Sequence, residues 1–151
     1  MKITWEFTTG DKIIAKDLYA VLLLRNKVFI VEQACHYQDI DGLDLNKDSI
    51  HIRGLYEGQC IAYSRIVNYD SADTPSVIGR VIIDSSFRGQ QLGVKLITNT
   101  VDYLKRNKNC HSVQLSAQSH LINFYEKFGF SVASKEYLED GIPHTDMTLV
   151  L

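Results

Sequence analysis

The chain has 151 residues, 45% of them hydrophobic and 23% charged, with a formal net charge of −2. These values exclude a disordered chain, and the near-neutral balance gives no basic footprint for nucleic acid. Three cysteines without a C-x-x-C spacing argue against a disulfide framework or zinc site, and no apolar run approaches the roughly 18 residues of a membrane span. The expectation is one domain over residues 1–151, cytoplasmic with reduced thiols, no metal and no membrane or nucleic-acid partner; a homodimer stays open.

In chain order, Ile3 to Thr8 alternates apolar and polar residues and predicts a half-buried strand. Asp17 to Glu32 follows a helical period through Leu18, Val21, Leu22, Arg25, Val28 and Phe29, with Asp17 as cap. Its end, Arg25 to Gln33, is apolar enough to dock on a sheet. Asp39, Asp41, Asp44 and Asp48 then form a loop broken by Gly42, a spacing that does not fit a calcium loop. It reads as a solvated acidic loop or as a cation-attracting rim. Ile50–Glu57 and Gln59–Asn68 read as a hairpin hinged at Glu57-Gly58. After a polar excursion over Tyr69–Pro75, Ser76–Asp84 is a strand and Arg88–Lys105 a helix with Leu92, Leu96, Ile97, Val101 and Leu104 on one face. His111–Gln118 is a strand, and Leu121–Phe128 a short helix stopped by Gly129. Phe130–Tyr137 is a further strand, Glu139–Pro143 a turn, and His144–Leu151 the last strand. This order calls for an α/β (α+β) sandwich whose largely antiparallel sheet turns parallel in the middle.

The parallel crossover lies at Val81 to Ile97, V-I-I-D-S-S-F-R-G-Q-Q-L-G-V-K-L-I. A strand that ends in a glycine-containing helix start presents unpaired N–H groups and a positive dipole end, which together suit an anion such as phosphate. An ordinary strand-to-helix turn, with glycines for packing, fits the same spacing.

Four stretches together resemble one family. They are V-I-I-D-S-S-F-R-G-Q-Q-L-G, A-Q-S-H-L-I-N-F-Y-E-K-F-G-F, Arg25 to Asp44, and E-D-G-I-P-H at Glu139 to His144. The chain resembles the GNAT superfamily of N-acetyltransferases, in its ElaA-like branch. That resemblance implies a mixed, mostly antiparallel twisted sheet flanked by helices, with a splayed parallel strand pair at the cofactor site. It implies acetyl-CoA as acyl donor and a small-molecule or peptide amine as acceptor. Backbone groups of Val81, Ile82 and Ile83 would meet the pantetheine, and an N–H, that of Ile83, the oxyanion. Arg88, Gly89, Gln90, Gln91, Leu92, Gly93 and Val94 would surround the pyrophosphate, with Gln91 standing where the family's inner glycine belongs. Gln118 and Asn123 are candidate pantetheine contacts, and Lys127 and Lys95 candidate bases for the nucleotide phosphates.

Attack by an amine needs loss of a proton from nitrogen and neutralisation of the departing thiolate. By resemblance, Tyr125 in F-Y-E-K-F-G-F is the general acid, although a buried structural tyrosine would read the same. For the base, Glu32, Asp84, His51, His120 and His144 have suitable groups. Glu32 and His144 come from branch-specific stretches and are preferred, and a water chain with no single base is equally defensible. The carboxylates of Glu32, Asp39, Asp41, Asp44, Glu139 and Asp140 suggest a cationic acceptor. Two other readings stay open: an acyl-CoA-binding domain without chemistry, motivated by Gln91, and an acyl-homoserine lactone synthase, echoed by R-N-K-V-F-I-V-E.

Overall fold

A computed structural model describes residues 1–151. One eight-stranded sheet organises the chain, built from β1 (Thr4–Thr9), β2 (Ile50–Tyr56), β3 (Gln59–Val67), β4 (Ser76–Ile83), β5 (Ser112–Gln118), β6 (Ser131–Val132), β7 (Tyr137–Glu139) and β8 (Ile142–Val150). The strands run in the order β1-β2-β3-β4-β5-β8-β6, with β7 also on β8. Every pairing is antiparallel except β4 with β5. The mixed sheet and its parallel pair are those the sequence implies.

Helix α2 (Leu92–Lys105) covers one face. Leu96, Ile97, Val101 and Leu104 are buried there among Ile50, Ile52, Ile66 and Ile78, and Leu92 is buried at the helix start, each side chain contributing roughly 1.5–3 kcal/mol. Helix α1 (Ala15–Arg25) covers the other face, where Val21, Leu24 and Val28 pack on Cys60, Tyr63 and Ile82. A short helix α3 (Ile122–Glu126) closes the end of β5. No helix is long and apolar enough to cross a membrane.

Ile78 and Ile82 are four residues apart on one strand yet lie in different cores. Strand alternation would put both on one face. The register supplies the reason: Tyr63 pairs with Ile82 but Arg65 with Gly79, so β4 carries an extra residue there. Arg80, within that bulge, takes a left-handed φ of 55°. The bulge turns Val81 and Ile83 to the α2 side, where both pack against the larger core.

Several boundaries differ from the sequence reading. The helix expected over Asp17–Glu32 is α-helical only to Arg25, and Asn26–Glu32 is a π-helix, in which Gln33 N–H donates to Val28 C=O at 2.9 Å. Asp17 does not cap it; the N-cap is Ile14, without a side-chain bond, and Asp17 pairs with Arg53 at 3.2 Å. The helix expected from Arg88 begins at Leu92, after a 3₁₀ turn over Ser85–Phe87. The strand expected over Phe130–Tyr137 is two short strands, β6 and β7, and β8 starts at Ile142.

The largest correction concerns the acidic loop: Ile40, Leu43 and Leu45 are exposed as a solvated loop requires, but the Asp39, Asp41 and Asp44 carboxylates turn inward onto arginines and form no open rim. Arg25, with a fully buried side chain, reaches Asp39 at 2.8 Å and Asp44 at 2.6 Å. Arg65 reaches Asp41 at 2.6 Å and Asp44 at 2.8 Å, and Arg80 reaches Asp39 at 2.7 Å. Three basic residues from α1, β3 and β4 thus gather the loop into the protein. Gly10 fits this arrangement because a Cβ there would lie 2.3 Å from the carbonyl oxygens of Asp44 and Asn46. His51, a candidate base, is also part of this interior. Its Nε2 lies 2.7 Å from the Asp44 carbonyl and its Nδ1 2.7 Å from the Tyr63 hydroxyl. Burial lowers its pKa, so it stays neutral and structural.

Removing one member of such a network leaves buried charge uncompensated. Arg25→Met is expected to cost about 3–5 kcal/mol in urea unfolding; a loss below about 1 kcal/mol would show that the network is dispensable. The network also sets acid stability. Burial alone would raise the Asp41 carboxyl, but hydrogen bonds from Arg65 and the Leu43 N–H, with the charges of Arg65 and Arg80, hold it at about 2. Asp44 is lowered too, with burial overcome by Arg25 and then Arg65. A depressed carboxylate stabilises the fold fully above its unfolded value near 4 and loses that contribution as pH falls toward 2. Unfolding free energy should therefore decline through this window, and less steeply in Asp41→Asn.

Candidate functional site

β4 and β5 pair only at Ser76↔Val113 and Val77↔Gln114, and then part. The edge of β4 that faces β5 has no strand partner beyond Val77, so its backbone polar groups look into the gap. A cavity of about 450 Å³ fills that gap, with Gly79, Arg80 and Val81 on one wall and Leu115, Ser116 and Gln118 on the other. Tyr125 of α3 stands at its base, and Glu139, Asp140 and His144 of the β7–β8 hairpin close one side. The segment after the π-helix closes the remaining side through Gln33, Cys35 and Tyr37.

Past the end of β4, Asp84 accepts from the Ser86 N–H at 2.9 Å and pairs with Lys27 at 3.0 Å. These partners make it a capping residue held against the π-helix. Gly89 takes φ +81° and Gln91 φ +59°, and α2 starts without a side-chain cap. The first-turn N–H groups at Leu92, Gly93 and Val94 therefore have no intrahelical acceptor, and the helix dipole adds positive potential there. A Cβ on Gly89 would meet nothing within 4 Å, so its glycine answers to the left-handed turn. The arrangement can take an anion.

Arg88 is turned back onto β4. Its Nε donates to the Ile83 carbonyl at 3.1 Å and its guanidinium pairs with Glu32 at 2.7 Å. The same contact engages Glu32, which lies off the cavity wall. Val81 lines the cavity, whereas Ile82 is buried toward α1 and Ile83 is capped by Arg88. Gln118 lines the cavity opposite His144 in the β5–β8 register. Gln90, Asn123, Lys127, Lys95 and His120 are exposed and off the wall.

The Tyr125 side chain is almost wholly buried, and burial alone pushes its phenol up to about 12. It carries its proton throughout the neutral range and faces the cavity. The acidic rim is smaller than its sequence suggests. Asp39, Asp41, Asp44 and Glu32 are paired with arginines, leaving Glu139 and Asp140 as the carboxylates on the cavity wall. Burial, followed by those two carboxylates, raises the Cys35 thiol, which disfavours thiolate there.

Arg80, Tyr37, Cys35, Gln33 and Ser116 are wall residues that sequence reasoning missed. One signal was present: Gly79 inside the strand run V-I-G-R-V-I marks a bulge or a close approach. Ser116 is exposed to the cavity by the parting of β4 and β5, and Gln33, Cys35 and Tyr37 depend on how the segment that leads into the Asp39–Asp44 loop folds, with the Arg80 guanidinium 5.4 Å from the Tyr37 ring centroid.

Residues 30–151 match the family described as Acetyltransferase (GNAT) domain. Protein ElaA of Escherichia coli is 43% identical over 145 residues, spanning 96% of this chain and 95% of its own. Its crystal structure superposes with a TM-score of 0.91 at 42% identity, covering 98% of this chain and 99% of that one. An acyl-CoA N-acyltransferase from Pseudomonas aeruginosa superposes with a TM-score of 0.93 at 40% identity, over 99% of this chain and all of that one. The acyl-homoserine lactone synthase BjaI has a TM-score of 0.80 over 99% of this chain and 83% of its own, but at 13% identity it shows the fold alone.

Gln91 offers a test of the turn. A non-glycine residue in the left-handed region costs on the order of 1–3 kcal/mol, and a β-branched one is disfavoured most. Gln91→Gly should therefore leave the melting temperature unchanged or higher, whereas Gln91→Val should lower it. A drop for glycine equal to that for valine would show that the exposed glutamine side chain, and not the backbone, holds this turn.

Proposed function

The chain belongs to the GNAT acetyltransferase family, in its ElaA-like branch, and from that premise we propose that it transfers an acetyl group from acetyl-CoA to a primary amine by direct attack. The observation that carries this reading is the combination of three features: the unpaired edge of β4, the uncapped start of α2 that follows it in the chain, and Tyr125 on the wall of the cavity between β4 and β5.

The residues present fit the donor. Backbone groups near Val81 would take the pantetheine as an added strand edge. The N–H groups from Gln91 to Val94 would take the pyrophosphate, with Gly89 and its φ of +81° making the turn that leads into them. Gln118 would contact the arm from β5. Arg88 would add charge to the phosphates by leaving Ile83 and Glu32. What the bound donor supplies is an acyl thioester, an activated carbonyl with a thiol leaving group.

Tyr125 then acts as the acid. Its phenol is protonated at neutral pH and Tyr125 lines the cavity, so it can give its proton to the departing sulfur. An acyl-enzyme is disfavoured by the cysteines themselves. Cys35 and Cys60 are both raised, Cys60 to about 11 chiefly by burial, and Cys110 is buried in the α2 core. The acceptor is a cationic small amine or a lysine-like group, now supported by Glu139 and Asp140 alone.

Tyr125→Phe keeps the ring and removes the proton. Acetyl-CoA-dependent acetylation should fall by roughly 10²-fold or more, while acetyl-CoA still raises the melting temperature of the variant as it does that of the wild type. An unchanged rate would take Tyr125 out of the mechanism, and no thermal shift in the wild type would remove the donor assignment.

A further inference from the structure

Besides the two carboxylates that favour a cationic acceptor, the β7–β8 hairpin holds His144 and Tyr137, to which the steps above give no role. His144 lines the cavity together with Tyr125, and its residue is 9% exposed. Its Nδ1 lies 2.7 Å from the carbonyl oxygen of Ile142. A carbonyl only accepts, so the hydrogen bond assigns the proton to Nδ1 and leaves the lone pair of the neutral ring on Nε2. That nitrogen is 3.4 Å from a carboxylate oxygen of Glu139. A lone pair and a carboxylate oxygen have nothing to share until a proton arrives. Once it does, the contact becomes an ion pair.

The imidazole is also held in place. Tyr137 stacks on it, with centroids 6.2 Å apart and planes at 26°. The Tyr137 hydroxyl donates to Asp146 at 2.6 Å and is hydrogen-bonded to Ser116. The hairpin register puts Tyr137 opposite His144 and Glu139 opposite Ile142. Asp140 and Gly141 join them with φ of 50° and 76°, the positive φ pair of a type I′ turn, which fits the twist of the strands.

We propose that Glu139 positions His144 as the general base of the amine acceptor, and this rests on the acetyl-transfer reading above. Nε2 takes one proton from the acceptor ammonium, and Glu139 stabilises the imidazolium that results. As the freed nitrogen lone pair forms the N–C bond and the C–S electron pair leaves with sulfur, Tyr125 gives its proton to that sulfur. The second proton from nitrogen returns to Tyr125 through water, and His144 releases the first to solvent, so one proton is lost per turnover. Titratable or charged groups facing the same cavity are Asp140 beside Glu139, Cys35 and Tyr37 across from the hairpin, Arg80 on β4, and Tyr125 on α3. Gln118 and Ser116, on the neighbouring β5, do not titrate.

Two measurements test this. In the unliganded protein, imidazole ¹⁵N–¹H correlation spectra, with His144→Gln to assign the signal, should show the Nδ1–H tautomer at neutral pH. The Nε2–H tautomer would overturn the proposal. With acetyl-CoA and a panel of cadaverine, spermidine and Nα-acetyl-lysine amide, kcat/KM should rise with pH to a plateau. At neutral pH His144→Gln should lower kcat/KM by 10²-fold or more and replace the plateau with a rate that keeps rising with the free-amine fraction of the acceptor. In Glu139→Gln kcat should fall with KM for acetyl-CoA unchanged, because the imidazolium formed in the step loses the carboxylate 3.4 Å from its Nε2. Glu139→Asp should restore part of the rate. A Glu139→Gln profile that superposes on the wild type would overturn the role of Glu139, and a His144→Gln profile that does so would overturn the base. If the wild type acetylates none of the amines, the acetyl-transfer reading falls and takes the base assignment with it.

Discussion

One wall of the cavity depends on a largely buried exchange of charge between Arg25, Arg65 and Arg80 and the carboxylates of Asp39, Asp41 and Asp44. Taking those charges out of water is expensive, and apolar residues of similar volume are often as stabilising. What the network provides is placement. The stretch from Gln33 to Ser49 contains no regular strand or α-helix, so it has no ladder of its own to fix its path. Ion pairs to three different elements do that instead. They bring Tyr37 and Cys35 to the cavity and press the loop against Gly10.

The same network reaches the β4 side of the cavity through one residue. Arg80 sits in the β4 bulge, pairs with Asp39 and lines the cavity. The bulge redirects the strand, so that Val81 faces the cavity while Ile82 fills the core under α1. β4 has left β5 two residue pairs into their ladder. A left-handed arginine is a strained choice, and its guanidinium partners offset that strain. Loop, bulge and wedge therefore form one construction.

Legibility from sequence follows the range of the forces involved. The strand-turn-helix at Val81–Ile97 and the helix carrying Tyr125 could be read because their patterns are local: a β-branched run, a glycine turn, an apolar stripe. The Asp39–Asp44 loop was misread for the opposite reason. Its partners lie 14 to 41 positions away, and an arginine that will be buried looks like any other arginine in a composition. Arg25 itself falls on one step of the helical period through Leu18, Val21, Leu22, Val28 and Phe29. The break between β6 and β7 was hidden likewise, since Ala133 donates to the Asp146 carbonyl and no feature of its own neighbours requires that bond. His144 was picked from its stretch, but the carbonyl, carboxylate and ring that surround it come from hairpin register.

The π-helical segment over Asn26–Glu32 carries a historical consequence. Each of its turns encloses one residue more than an α-turn, so it is the form a helix takes when a residue is added without lengthening the frame around it. Lys27 and Glu32, at the two ends of the segment, contact Asp84 and Arg88. Deleting a single residue between them would return the segment to regular α-geometry and rotate Glu32 away from Arg88. Relatives that lack the extra residue should thus lack the Glu–Arg contact as well, and an aligned gap at this place would date the two features to the same event.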